Sequence, residues 1–399
     1  MNWIVQLDDW FRAHTHEGIE LLAALVRQNT VNPPGNEHLA ATVVEQYLSR
    51  YEIACTRHEG APGRTNLLAR VGQGAPVVFV PAHTDVVPAG GGWHTDPLEP
   101  VVRDGWMIGR GTTDDKGPLA SLLLLAAFLQ QHRAAFRGTL LVGAVADEER
   151  GSNLGLKYLL QENLLSADYA IVPDTGASIR QVSCGEKGLL HVVLTLHGQP
   201  AHASTPDQGV NAIYAAQVFI QRVHALYGER IGYTREAAPA PFSPTTVNVT
   251  TISGGSAFNI VPGHCTLGID IRFVPGQSAE EWLARLRCIA AELQAQGLCT
   301  AFALETDDAM PSFVLDPDNP VVQAIDASVH ALTGAPVARI AMSGTTVCKQ
   351  LIERGIPAVG WSQDGSSQGH MANERMALSE IGLYGRSLGL AFLRLCGAW

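Results

Sequence analysis

Pro76–Val77–Val78–Phe79–Val80–Pro81 decides the fold, because this run leads straight into His83–Thr84–Asp85. A short apolar stretch rich in valine reads as a strand buried on both faces, the kind found inside a parallel sheet. The same signature returns twice downstream. Gly138 to Ala146 (GTLLVGAVA) ends in Asp147–Glu148–Glu149, and Tyr169 to Val172 ends in Pro173–Asp174. Between the first two, Gly117 to Gln130 is apolar on nearly every face and reads as a buried helix. Strand and helix alternating at this pace predict an α/β fold, a mostly parallel sheet flanked by helices.

Outward from that centre, Leu7 to Arg27 has apolar residues at helical spacing. Asn32–Pro33–Pro34–Gly35 stops the chain, and a second helix is predicted from about Glu37 to Tyr51. After Pro173 the texture changes. Leu189 to His197, Thr245 to Ile252 and His264 to Phe273 alternate as strands with one wet face, and two helical stretches, Gly209 to Tyr227 and Ser278 to Gln296, accompany them. The first pattern resumes near Pro320. The expectation is a catalytic domain formed by residues 1–182 and 306–399, interrupted by a smaller inserted α+β domain at 183–305. A chain of 399 residues is long enough for two such domains.

In an open α/β sheet, ligands bind outside the carboxyl ends of the strands. His83, the Asp147–Glu149 run and Asp174 all follow such ends. Gly109–Arg110–Gly111–Thr112–Thr113–Asp114–Asp115–Lys116–Gly117 forms a glycine-bounded loop into the buried helix, and His370 follows the strand-like Ala358 to Trp361. Taken singly, a histidine, an acidic run or a turn aspartate each has an ordinary structural explanation. Together they deliver one imidazole and several carboxylates to one sheet edge, with a second imidazole late in the chain, which is a ligand set for two zinc ions.

Bulk properties restrict the partners. A formal net charge of -11 disfavours nucleic acid and anionic membranes as partners. The start, MNWIVQLDDWFRAH, has no basic segment followed by an apolar one, so no secretory signal is expected. Seven cysteines, scattered without CxxC spacing, fit reduced thiols in a cytoplasm.

These stretches resemble the zinc deacylase and carboxypeptidase family of acetylornithine deacetylase, succinyl-diaminopimelate desuccinylase, aminoacylase and glutamate carboxypeptidase. The match is carried by HTDVVP at 83–88, GRGTTDDKG at 109–117, DEERGS at 147–152, Pro173–Asp174, and His370 with Asn373–Glu374. The insertion adds AHASTP at 201–206, GVNA at 209–212, NIVP at 259–262 and Asp270–Ile271–Arg272. The resemblance implies that His83 and Asp174 hold one zinc, Glu149 and His370 the other, and that Asp114 bridges them, with cobalt or manganese able to substitute. It implies that Asp85 takes the free N–H of His83 and fixes its tautomer. Glu148 becomes the general base, and His202 a donor to the oxyanion, reaching the site from the partner subunit in dimeric relatives. Arg272 and Asn259 become the clamp for a substrate carboxylate. A cis peptide is implied between Asp114 and Asp115, and a homodimer joined through the inserted domain. The implied substrate is a small N-acyl amino acid or short peptide.

One segment departs from the family. Where many members carry Gly-Gly-Thr-Asp, this chain has Ser343–Gly344–Thr345–Thr346, so Thr346 stands at the expected acid and the pocket lining by Gly344 and Thr345 is altered. A dipeptidase or carboxypeptidase would use the same zinc site. Two further patterns fail on their own chemistry. Gly365–Ser366–Ser367–Gln368–Gly369 matches a serine-hydrolase elbow, but no acid followed by a histidine comes after it. Asp316–Pro317–Asp318–Asn319 resembles part of a calcium loop that Pro320 and a missing glycine spoil. A non-catalytic binding protein on this fold would be marked by loss of Glu148 or of a metal ligand, and all are present.

Overall fold

The computed structural model describes residues 2–175, 178–316, 318–364 and 368–399. Its chain forms two compact units. One comprises residues 1–184, 315–340 and 346–399; the other comprises 185–314 with 341–345.

In the first unit, Val77–His83 lies between Gly138–Val145 and Tyr169–Val172 and is parallel to both; Ala358–Gly360 is parallel to Tyr169–Val172. All four strands therefore end at one edge. Their side chains are almost completely buried, because helices cover both faces. Lys116–Gln131 is the central helix, buried from Lys116 through Leu129. Trp10 packs against it and donates its indole N–H to the Leu124 carbonyl at 3.2 Å.

The sheet is mixed, with its parallel pairings at the centre. A hairpin of Cys55–Ala61 and Arg64–Gln73 pairs antiparallel with Gly138–Val145 on one side, and Gln181–Glu186 meets Ala358–Gly360 antiparallel on the other. The hairpin escaped the sequence reading because CTRHEGA, at its outer edge, has no strand-like alternation. The helix expected from Leu7 to Arg27 is two, Trp3–Ala13 and Thr15–Val26. His14 leaves helical geometry at φ -105°, ψ 15°. Its ring nitrogen lies 2.8 Å from the Trp10 carbonyl, and the Thr15 hydroxyl donates to that of Phe11, so side chains take over the last carbonyls of the first helix.

The second unit is a four-stranded antiparallel sheet in the order Thr246–Gly254, His264–Phe273, Gly188–His197, Ala301–Met310. Residues alternate along Gly188–His197. Leu190, Val192, Leu194 and Leu196 bury against Phe219 of helix Ala212–His224 and Trp282 and Leu286 of helix Ala279–Ala295, while His191, Val193 and Thr195 face the open side. Ser278 and Glu281 form a capping box at the start of the second helix. This unit runs past residue 305, because Ala301–Met310 is hydrogen-bonded along Gly188–His197. No helix among the described residues is long and apolar enough to cross a membrane.

Candidate metal centre

The edge where the parallel strands end gathers the polar residues that follow them. Val77–His83 ends on His83, which is 2% exposed. The loop before Lys116–Gln131 supplies Asp114 across a cis Asp114–Asp115 peptide. Asp114 lies between two imidazoles: Oδ1 is 2.7 Å from His83 Nε2 and Oδ2 is 3.1 Å from His370 Nε2. His370 Nε2 is also 3.1 Å from Glu149. One donor atom each from His83, Glu148 and Asp174 lie within 4.8 Å of one another, and the same is true of His83, Asp114 and Glu149. Imidazole nitrogens and carboxylate oxygens converging at this spacing, with His83 common to both groups, fit the binding of divalent metal.

Charges in this cluster act strongly on each other. Burial and the neighbouring Asp174 push the Glu148 carboxyl well above its usual range. Burial works against ionisation of Asp114, but hydrogen bonds from His370 and His83 outweigh it and hold the carboxyl far below its usual range. Hydrogen bonds to Asp114 and Glu149 raise the His370 imidazole to about 10. A bound dication pulls such groups back toward their unprotonated forms.

Asp85 stands beside His83 Nδ1, with its backbone carbonyl at 2.9 Å and its carboxylate at 3.5 Å. That carboxylate also accepts the backbone N–H groups of Glu148 at 3.1 Å and Glu149 at 3.2 Å and the side-chain amide of Asn32 at 2.8 Å. Asp85 thus ties the turn that carries both glutamates to the strand that carries His83.

Two supporting networks were not read from the sequence. Glu374, fully buried, accepts from Arg110 at 2.6 Å, from the Gly111 N–H at 3.0 Å, and from the N–H and hydroxyl of Thr113, both at 2.9 Å. It clamps the loop that presents Asp114. Arg64 bridges Glu37 at 2.6 Å and Asp147 at 2.8 Å, and Asp147 also takes the amide of Asn32. Glu374 and Arg110 both lie in stretches that carry the family resemblance, though without a role assigned to them; Glu37 and Arg64 gave no sequence signal.

His202, Asn259, Arg272, Gly344 and Thr345 belong to the second unit and Thr346 to the first. His202 is exposed, with its ring nitrogen 2.7 Å from the Ser204 hydroxyl. Asn259 is its neighbour through the strand-like bridge of His202 with Ile260, and its carbonyl accepts from the Ala203 N–H. Arg272 pairs with Asp270 and reaches the Thr345 hydroxyl at 3.5 Å, and Gly344 is exposed beside it in sequence. Thr346 is buried, and its hydroxyl accepts the Cys348 N–H at 3.1 Å. Gly365, Ser366 and Ser367 of the elbow-like pattern and Pro317 of the calcium-loop fragment lie outside the described residues. All seven cysteines are free thiols.

A sheet that delivers this donor set to its carboxyl edge, beside a partly buried glutamate, has the arrangement of a metal-dependent hydrolase. Residues 184–297 match the family described as the peptidase dimerisation domain of the M20 peptidases. The chain is 29% identical, over 94% of its length and 99% of the relative's, to a succinyl-diaminopimelate desuccinylase of Methylorubrum extorquens. Its fold is similar to that of a tripeptidase from Staphylococcus aureus, with a TM-score of 0.81 and 21% identity over 96% of this chain and 99% of that one. It is also similar to a dinuclear metal-binding M20 peptidase from Bacillus subtilis, with a TM-score of 0.75 and 14% identity over 97% and 100% of the two chains. Over nearly its whole length the chain is thus similar to metal-dependent deacylases and peptidases, hydrolases of amide and peptide bonds.

Proposed function

We propose that this protein is a two-zinc amidohydrolase that cleaves the amide bond of an N-acyl amino acid. The observation that carries the reading is the Asp114 carboxylate held between His83 and His370, with Glu148, Glu149 and Asp174 around it at the strand ends. His83 and Asp174 would hold one ion and Glu149 and His370 the other, with Asp114 within reach of both imidazoles. When bound, the ions supply Lewis acidity, acidifying water and polarising a carbonyl oxygen.

The protein's own groups supply the rest. Glu148, the one carboxylate of the cluster not assigned as a ligand, takes a proton from the attacking water and returns it to the leaving amine. His202 donates an N–H to the carbonyl oxygen as negative charge grows there. Arg272 and Asn259 hold the substrate's free carboxylate, and Gly344 and Thr345 border it. Two copies associate through the inserted unit, a reading supported by its match to a dimerisation domain.

The deacylase reading is favoured by the desuccinylase aligned over nearly the whole chain. The rival, a dipeptidase or carboxypeptidase with the same centre, is favoured by the fold similarity to a tripeptidase. Hydrolysis of a panel of N-acetyl-L-amino acids, N-succinyl-L-amino acids and dipeptides, by zinc-loaded and chelator-stripped protein, tests both. Cleavage of acyl amino acids that vanishes on stripping and returns with zinc supports the proposal. Preference for dipeptides moves the assignment to the rival, and activity indifferent to stripping refutes the metal mechanism.

A further inference from the structure

Arg272 and Asp270 stand on the open face of the second unit's sheet, two residues apart on His264–Phe273. Asp270 lies directly opposite His191 on the adjacent strand, and His191 Nε2 is 2.8 Å from Asp270 Oδ2. Arg272 Nε is 3.1 and 3.0 Å from the two Asp270 oxygens, and its Nη2 is 2.9 Å from Oδ2. Asp270 therefore occupies the side face of the guanidinium, formed by Nε and Nη2. The outward face has one N–H on each terminal nitrogen. Among the described residues its sole hydrogen-bond partner is the Thr345 hydroxyl, 3.5 Å from Nη1 and longer than a strong hydrogen bond.

An ion pair this accessible, with side chains 25% and 22% exposed, adds little to stability in water. Its effect is geometric. A lone aspartate on a strand rotates about two side-chain bonds and carries the arginine with it. His191, fixed on the neighbouring strand, pins one of the aspartate's oxygens and so sets the direction of the fork. The Asp270 carboxyl is held below its usual range: burial opposes this, but the hydrogen bond and charge of Arg272, then of His191, prevail.

We propose that His191 and Asp270 are positioning residues for Arg272, aiming its outward Nη1–Nη2 pair so that it reads a substrate carboxylate end-on. This rests on the assignment of Arg272 as the carboxylate clamp. The test is steady-state kinetics of the zinc-loaded enzyme on the best-cleaved N-acyl-L-amino acid of the panel and on its α-carboxamide. Arg272→Ala is expected to raise KM for the acid roughly a hundredfold, the loss of a bidentate charge-assisted pair. Asp270→Asn and His191→Leu are expected to raise it about tenfold with kcat little changed, and His191→Gln, which keeps an N–H for Asp270, to recover most of that loss. The carboxamide, with no charge to read, should respond to none of the four.

Wild-type KM in both Asp270→Asn and His191→Leu, with KM raised in Arg272→Ala, overturns the positioning role and leaves the clamp standing. Wild-type KM in Arg272→Ala overturns both. Equal losses on acid and carboxamide mean the cluster only holds the sheet together, which also overturns the proposal. Should His191→Leu fail to fold, Asp270→Asn with His191→Gln decides, and wild-type KM in Asp270→Asn is then sufficient to reject it.

Discussion

Replacing Glu374 with alanine should damage both stability and metal binding, and the size of the effect follows from its partners. Glu374 is fully buried, and so is Arg110, at 1% exposure. Truncation leaves the Arg110 guanidinium buried with only the Ala89 carbonyl at 3.4 Å and the Trp93 ring at 5.3 Å as near partners among the described residues. Breaking a buried pair on one side costs about 3–5 kcal/mol, because an uncompensated charge remains. The N–H groups of Gly111 and Thr113 lose their acceptor as well, so the upper end of that range is expected. Against a total stability of roughly 5–15 kcal/mol, this is severe. Asp114 closes the same loop, so zinc affinity should fall about 10–100-fold, the usual consequence of removing a residue that orients a ligand. The assay is urea denaturation of zinc-loaded and stripped protein, with bound zinc measured by mass spectrometry. The double variant Arg110→Met with Glu374→Leu removes both charges and should be less destabilised than Glu374→Ala alone. A Glu374→Ala protein within about 1 kcal/mol of the parent and with full zinc affinity, or a double variant worse than the single one, would refute the reasoning.

Four other outcomes are expected. Glu148→Gln should bind zinc normally and lose turnover by about 10²–10⁴-fold; full activity would remove Glu148 as the base. His202→Asn should lower kcat by about 10²–10³-fold at unchanged zinc content, whereas normal turnover would make His202 an ordinary surface residue. Burial lowers Lys187 to about 8, so both folded and unfolded chains carry its charge below that pH and the burial cost is felt in full. Between pH 8 and an unfolded value of 10.5 the folded chain releases the proton first, and stability relative to Lys187→Met should rise across that window; a pH-independent difference in urea midpoint would refute this. In Gly155→Ala the new Cβ would stand 1.7 Å from the Ala146 carbonyl oxygen, so the backbone leading into Glu148 must move; a melting temperature near that of the parent would show that this close approach is not required.

What local sequence determined here is the set of strands and the residues that follow them. Val77–His83, Gly138–Val145 and Tyr169–Val172 are apolar on both faces, a pattern only a covered parallel sheet accepts, so His83, Asp147–Glu149 and Asp174 had to emerge at one edge. His191, Asp270 and Arg272 were likewise legible as members of strands with one wet face. Only the tertiary structure decided which polar groups pair. Glu374 meets Arg110 across 264 residues, Arg64 meets Asp147 across 83, and the Asp85 carboxylate turns to the Glu148 and Glu149 amides while its backbone carbonyl takes the nearest place beside His83. The two helices at the start and the edge hairpin were decided in the same way, by His14 and Thr15 finding carbonyls and by Arg64–Gln73 finding Gly138–Val145. Apolar periodicity is a local property that each segment carries alone. A buried polar group is satisfied by whichever partner the fold brings within hydrogen-bonding distance, and no spacing along the chain encodes that partner.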